Sequence, residues 1–267
     1  MPRALVVTSS FLPGRGGIES YLAQLCDELR PHLAVLAPAT REGRHLPTDL
    51  PYQALGLHKQ MLVPRPNLVP EIERHVRSTG VDRVLFGTPW PLSLLGPRLR
   101  SLGLPYAVIV HGAEMLVPSR IPVVRTRLAR ALAGADLLLS VSEFTKHRTQ
   151  EFIARAGLKS PPSALLRARV DLARFKPQAG TPETRAKIGL DDEDRMILCF
   201  GRLVKRKGTH RLIEALERIG GRVPRAVLVV GGTGPELAKL KRLAARRRGR
   251  VIFLDRVAED DAPALFA

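Results

Sequence analysis

CFGRLVKRKGTHRLIEAL, residues 199–216, crowds Arg202, Lys205, Arg206 and Lys207 between an apolar run and an amphipathic segment. The run that leads into it, MILCF (196–200), has the continuous apolarity of a strand buried on both faces of a parallel sheet. After it, HRLIEAL sets Leu212, Ile213 and Leu216 at helical spacing. The cations therefore occupy a strand-to-helix loop. In open α/β sheets such loops stand at the carboxyl edge, where ligands bind, and the next helix aims free N–H groups and its positive dipole end at them. An anion suits that environment; a solvated charged loop is the plainer alternative.

The same rhythm runs outward in both directions. RALVVTSSFLPGRGGIESYLAQLCDELR reads as strand, glycine-rich loop and helix, with Leu22, Leu25, Cys26 and Leu29 on one face. Further strands are expected at 33–38 (LAVLAP), 83–87 (RVLFG), 106–112 (YAVIVHG) and 136–142 (DLLLSVS), separated by helical stretches such as LVPEIERHVRSTG and VVRTRLARALAGA. Strands alternating with helices predict an α/β, doubly wound parallel sheet. The polar QAGTPETRAKIGLDDEDR then reads as a connection, after which MILCFG, RAVLVVGGTGPELAKLKRLAARR and RVIFLDRV restart the pattern. Two domains follow: 1–183, and 184–267 with three strand candidates, short for a closed doubly wound domain. The expectation is a second domain incomplete in this chain, finished by further sequence or by a partner.

Composition narrows the partners. Lys and Arg number 43 against 25 Asp and Glu, a formal charge of +18 over 267 residues. Such an excess points to nucleic acid, anionic lipid headgroups or phosphorylated metabolites. Aromatic residues make up only 4% and are not interleaved with the basic ones, which weakens nucleic acid. Cys26 and Cys199 suit reduced core thiols better than a disulfide framework, in keeping with a cytoplasmic setting. No apolar run approaches the ~20 residues of a membrane span, and the N-terminal ALVV lacks the marks of a signal peptide, so membrane contact is expected to be peripheral.

Three loops could carry chemistry. PGRGGIESY sets Gly14, Gly16 and Gly17 before a helix, where a missing Cβ admits a phosphate or sugar, or merely a tight turn. GGTGPEL, with Gly232 and Gly234, has the same ambiguity. Neither completes the G-x-G-x-x-G dinucleotide fingerprint, and KRKGT lacks the G-K-[ST] ending of an ATP-binding loop. VIVHGAEML ends an apolar strand on His111, followed by Gly112 and Glu114; the histidine is either structural or faces the cleft at the sheet's carboxyl edge. Glu114 is either its partner or an ordinary helix N-terminal carboxylate. KLKRLAARRRGR reads most simply as a solvated helix face, with membrane contact as the other reading.

Together, PGRGGIESY, HGAE (111–114), RVDLARFKP, GRLVKRKG (201–208) and GGTGPEL resemble the retaining family 4 glycosyltransferases of the GT-B fold, built from two Rossmann-like domains. HGAEMLVPSRIP is also similar to the actinobacterial phosphatidylinositol mannosyltransferases. The resemblance implies a nucleotide-sugar donor, GDP-mannose, in the cleft between domains, held without a metal or other cofactor. It implies that Arg202 and Lys207 bind the diphosphate and that Gly16 and Gly17 approach diphosphate and acceptor. His111, with Glu114 beside it, would meet the transferred sugar; Gly201, Gly232 and Gly234 would shape the donor loops, and the backbone near Val257 would hold the base. It implies an anionic glycolipid acceptor, met peripherally at the cytoplasmic face of the plasma membrane, and no nucleic-acid partner. Two departures stand out: Ala168 and Arg169 replace a proline-glycine, and Asp255 stands where glycine is common. The family's glutamate-containing E-G-x-G region is absent, so weak GDP or UDP binding is expected of these residues by themselves. A family 4 enzyme with another glycolipid or a soluble sugar acceptor, and a non-catalytic nucleotide-sugar-binding module, remain as alternatives.

Overall fold

β1 (Ala4–Val7) alternates its side chains between two apolar layers, so every residue of ALVV has somewhere to be buried. The computed structural model describes residues 3–14, 16–41, 43–57, 61–115, 121–177, 181–258 and 260–267. The chain divides into two units, Met1–Arg169 and Val170–Ala267. The second therefore takes in 170–183, which the sequence reading assigned to the first. Two contacts help hold that stretch there: Arg174 pairs with Asp260 at 3.2 Å, and Phe175 meets Phe266 edge-on at 5.9 Å.

In the first unit β1 is followed by α1 (Gly17–Leu29), β2 (Leu33–Pro38), the short hairpin β3 (Thr40–Arg41) and β4 (Arg44–His45), and β5 (Gln53–Leu57). Then come α2 (Leu68–Thr79), β6 (Arg83–Phe86), α3 (Gly96–Ser101), β7 (Tyr106–Val110), α4 (Pro122–Ala133), β8 (Leu137–Ser140), α5 (Glu143–Ala154) and β9 (Ser163–Leu165). The seven-stranded sheet has the order β5-β2-β1-β6-β7-β8-β9, with every pairing parallel. Leu5, Val7, Val84, Phe86, Val108 and Val110 face a layer built by α2, α3, α4 and α5 through residues such as Ile72, Leu99, Leu128 and Ile153. Val6, Val35, Leu85 and Ile109 face Leu22 and Cys26 of α1. Strand order reverses between β1 and β6, which opens a crevice at their carboxyl ends, where open α/β sheets bind ligands.

The second unit holds α6 (Pro182–Lys187), β10 (Arg195–Phe200), α7 (Thr209–Gly220), β11 (Ala226–Gly231), α8 (Leu237–Ala244), β12 (Arg250–Asp255) and α9 (Ala262–Phe266). Its parallel sheet runs β10-β11-β12, and the central strand AVLVVG is buried throughout. Leu228 and Val230 pack on Ile213, Leu216 and Leu240; Val227 and Val229 pack on Leu190 from the other side. Both cysteines are free, Cys26 buried in α1 and Cys199 half-buried in β10. Among the described residues no helix is long and apolar enough to cross a membrane.

Candidate active site

In the first unit the loop after β1 is tied down on several sides. The Ser9 hydroxyl donates to the Leu62 carbonyl at 2.8 Å, and the Arg41 guanidinium donates to the Ser9 carbonyl at 2.6 Å. Arg41 also pairs with Glu19 at 3.1 Å, and Glu19 sits in the first turn of α1. A Cβ on Gly16 would run into that carboxylate, so a side chain there would have to displace the Glu19 tip from its place beside Arg41. Gly17, the first residue of α1, has open space where its Cβ would stand. No packing contact explains it.

His111 follows β7 directly. A carbonyl can only accept, so His111 Nε2–H donates to Gly87 O at 3.0 Å, which fixes the ring beside the β1/β6 crevice. The Tyr21 ring meets it edge-on at 5.0 Å, while the Tyr21 hydroxyl donates to Leu166 O at 2.7 Å. Burial pushes the Tyr21 phenol up to about 12, so it stays a neutral donor. Gly112 turns the chain with φ +105°, a conformation that favours glycine. Glu114 lies in the short 3-10 turn Ala113–Met115; its side chain falls outside the described residues.

In the second unit three loops meet at the carboxyl edge. Gly201 leaves β10 with φ +138° and donates its N–H to Gly231 O at 2.9 Å. Leu203 N–H donates to Thr233 O at 2.9 Å, and Gly232 N–H to Asp255 O at 2.7 Å. A Cβ on Gly232 would strike the Gly201 carbonyl, and one on Gly234 the Leu203 carbonyl. These two glycines thus allow loop to approach loop, which accounts for them without a ligand. Val257 lies against the same edge, its Cγ2 at 3.2 Å from where a Gly231 Cβ would be.

The cations divide. Arg202 is exposed on the loop after Gly201, and Lys205–Lys207 form one 3-10 turn closed by Gly208, whose φ of +75° starts α7. Lys205 lines a cavity of about 390 Å³ between α7 and α8, with His210, Lys239 and Arg242, whereas Arg202 and Lys207 do not. A compact cationic turn at a helix N-terminus can neutralise a departing diphosphate. Among the described residues no three His, Cys, Asp or Glu side chains gather to hold a metal.

Residues 180–267 match the glycosyl transferases group 1 family, and residues 15–157 match Glycosyltransferase Family 4. The chain belongs to glycosyltransferase family 4. This glycosyltransferase is 34% identical over 273 residues to a GDP-mannose-dependent alpha-(1-6)-phosphatidylinositol monomannoside mannosyltransferase of Mycolicibacterium smegmatis, covering 97% of this chain and 69% of that enzyme. It is 31% identical to the GDP-mannose-dependent monoacylated alpha-(1-6)-phosphatidylinositol monomannoside mannosyltransferase of Corynebacterium glutamicum, covering 97% and 68%. Among solved structures, Anabaena HepE in complex with UDP aligns with TM-score 0.71 at 19% identity, over 98% of this chain and 71% of that one. Sucrose-phosphate synthase from Thermosynechococcus elongatus aligns with TM-score 0.72 at 17%, over 99% and 73%. At such identities the structures speak for the fold, which is GT-B.

Sequence reasoning missed several groups that shape this glycosyltransferase's site. Arg41, Glu19 and Gly87 hold the first loop and His111; Glu19 and Gly87 lie in stretches already singled out, GGIESY and RVLFG, without that part being read from them, and Arg41 lies in none. Arg41 comes from a two-residue strand of a hairpin, which carries no periodicity to read.

Proposed function

We propose that this glycosyltransferase moves mannose from GDP-mannose to a phosphatidylinositol mannoside-type lipid with retention of anomeric configuration. The observation that carries the reading is the 34% identity, spread over 97% of the chain, to an enzyme of that donor and acceptor class. In this scheme the bond between the sugar's anomeric carbon and the diphosphate oxygen breaks, a lipid hydroxyl oxygen takes its place on carbon, and the hydroxyl proton leaves with the diphosphate. Negative charge grows on the leaving group, so cations fixed before reaction stabilise the transition state more than the ground state. Arg202 and Lys207 have that part. His111, held through its Nε2–H, presents its ring to the sugar; Gly17 leaves room for substrate, and the backbone near Val257 meets the base.

The donor needs no metal in this reading, because the cationic turn supplies the charge that a divalent ion would otherwise bring. A glycolipid acceptor places the enzyme at a membrane surface, peripherally, on the cytoplasmic side where nucleotide sugars are found. The test is transfer of labelled mannose from GDP-mannose to extracted phosphatidylinositol mannosides, with UDP-glucose as the competing donor and EDTA as a further arm. Arg202→Ala should lower kcat by about 100-fold or more. Full activity of that variant, or equal transfer from UDP-glucose, would remove the reading; loss of activity in EDTA would remove its metal-free part.

A further inference from the structure

Tyr21 closes a circuit of contacts around His111. It lies in the second turn of α1, with its side chain buried. Its ring meets the His111 ring edge-on, with centroids 5.0 Å apart and planes at 87°, and its hydroxyl donates to the Leu166 carbonyl at 2.7 Å. Leu166 in turn donates its own N–H to Ser140 O at 2.9 Å. Ser140 ends β8 in register with Val110, the residue before His111. The path from His111 through Tyr21, Leu166 and Ser140 therefore returns to β7.

This circuit does something that packing alone does not require. The Nε2–H bond to Gly87 O fixes one corner of the imidazole. Such a bond leaves the plane of the ring to be set by what packs against it, and a perpendicular aromatic partner sets that plane. Any apolar side chain of similar size would fill the space under α1. A tyrosine adds a ring whose far end is tied to backbone. Gly17 stands one turn earlier on the same face of α1, and helical side chains lean toward the helix N-terminus. The Tyr21 ring thus leans over the turn where Gly17 leaves open space.

We infer that Tyr21 is a positioning residue for His111: its ring sets the plane of the imidazole, and its hydroxyl, held by Leu166, sets the ring. The consequence for transfer rests on the reading in which His111 meets the sugar. The consequence for His111 itself does not.

Two measurements test it. With nitrogen-labelled histidine, NMR reads the His111 Nε2–H proton, assigned by its loss in His111→Asn. In Tyr21→Leu that proton should exchange with water on the order of tenfold faster than in wild type, while the amides of β6 and β7 keep their protection. Tyr21→Phe is the gentler change, giving up only the tie to Leu166, and should speed the same proton by a smaller factor. Mannose transfer from GDP-mannose reads the consequence. The kcat of Tyr21→Leu should fall on the order of 100-fold, the scale of a misplaced reacting group, with KM for GDP-mannose within about twofold. Tyr21→Phe should lose no more than about tenfold in kcat, the scale of one hydrogen bond. A His111 proton unchanged in both variants, an unchanged kcat in Tyr21→Leu, or equal damage from the two substitutions overturns the proposal. So does a rise in KM without a fall in kcat, which would make Tyr21 a binding contact. Absence of transfer by wild type would sink the donor and acceptor assignment instead, and the His111 proton would still decide the positioning.

Discussion

Asp255 ends β12 with φ +50°, in the left-handed region that costs an L-residue roughly 1–2 kcal/mol and that aspartate tolerates better than most. The sequence had marked this position as one where related chains commonly carry glycine, and the backbone supplies the reason. Its carbonyl receives the Gly232 N–H, and its carboxylate pairs with Lys241 at 2.9 Å, so the strained residue lies against the donor loops. Asp255→Gly relieves the strain but loses an exposed ion pair worth about 0.5 kcal/mol and adds backbone freedom to the unfolded chain. The net change should stay within about 1 kcal/mol. Asp255→Val puts a β-branched side chain at positive φ and should cost about 2 kcal/mol or more. Hydrogen exchange at the amides of β11 and β12 in the two variants decides it; equal protection would mean that the backbone angle carries no strain.

At the level of elements, the glycine loops look alike in sequence and differ in structure. Gly232 and Gly234 exist for loop-to-loop approach, whereas Gly17 faces open space at the start of α1. Gly232→Ala should therefore destabilise the second unit by about 2–3 kcal/mol, since both φ and the Gly201 carbonyl oppose a Cβ. Gly17→Ala should stabilise α1 by about 0.5–1 kcal/mol, because alanine suits a helix better than glycine. If substrate needs that open space, the same variant raises KM while the melting temperature rises. A rise in both stability and affinity would remove Gly17 from the site. The strands themselves divide in a similar way. β1, β2, β6, β7, β8, β10, β11 and β12 were legible because each is an apolar run with a packed layer on both faces, fully buried in β2 and β11 and partly buried in β8, β10 and β12. β5 (QALGL) and β9 (SAL) were not, because Gln53 and Gly56 interrupt the first and the second is only three residues long, so neither presents such a run. The hairpin carrying Arg41 was lost for the same reason, and with it the tie between Ser9 and Glu19.

For the molecule as a whole, a chain of charge +18 must place its few carboxylates carefully, because acid removes them and adds to self-repulsion. Asp194 is the clearest case. It precedes β10, its side chain is only 4% exposed, and it accepts hydrogen bonds from the Asp191 N–H at 2.9 Å and Arg250 at 2.8 Å and forms an ion pair with Arg225 at 3.4 Å. The Asp191 N–H first, and then the two guanidiniums, hold its carboxyl below the ordinary aspartate range. In the unfolded chain the group titrates near 3.9. Its contribution to stability is therefore fully present above about pH 4 and is lost as pH falls through the lower folded value. Asp194→Asn should be less stable than wild type at neutral pH, since Arg225 and Arg250 lose a buried carboxylate, and the gap should close below about pH 4 as wild type is protonated. Because the chain has two units, a single unfolding midpoint does not isolate the effect, and hydrogen exchange at the amides of β10, β11 and β12 does. Protection there should drop in the variant at neutral pH, while the amides of β1, β6 and β7 keep theirs. A loss spread equally over both sheets would mean that Asp194 acts through overall charge and not through its two hydrogen bonds and its ion pair with Arg225.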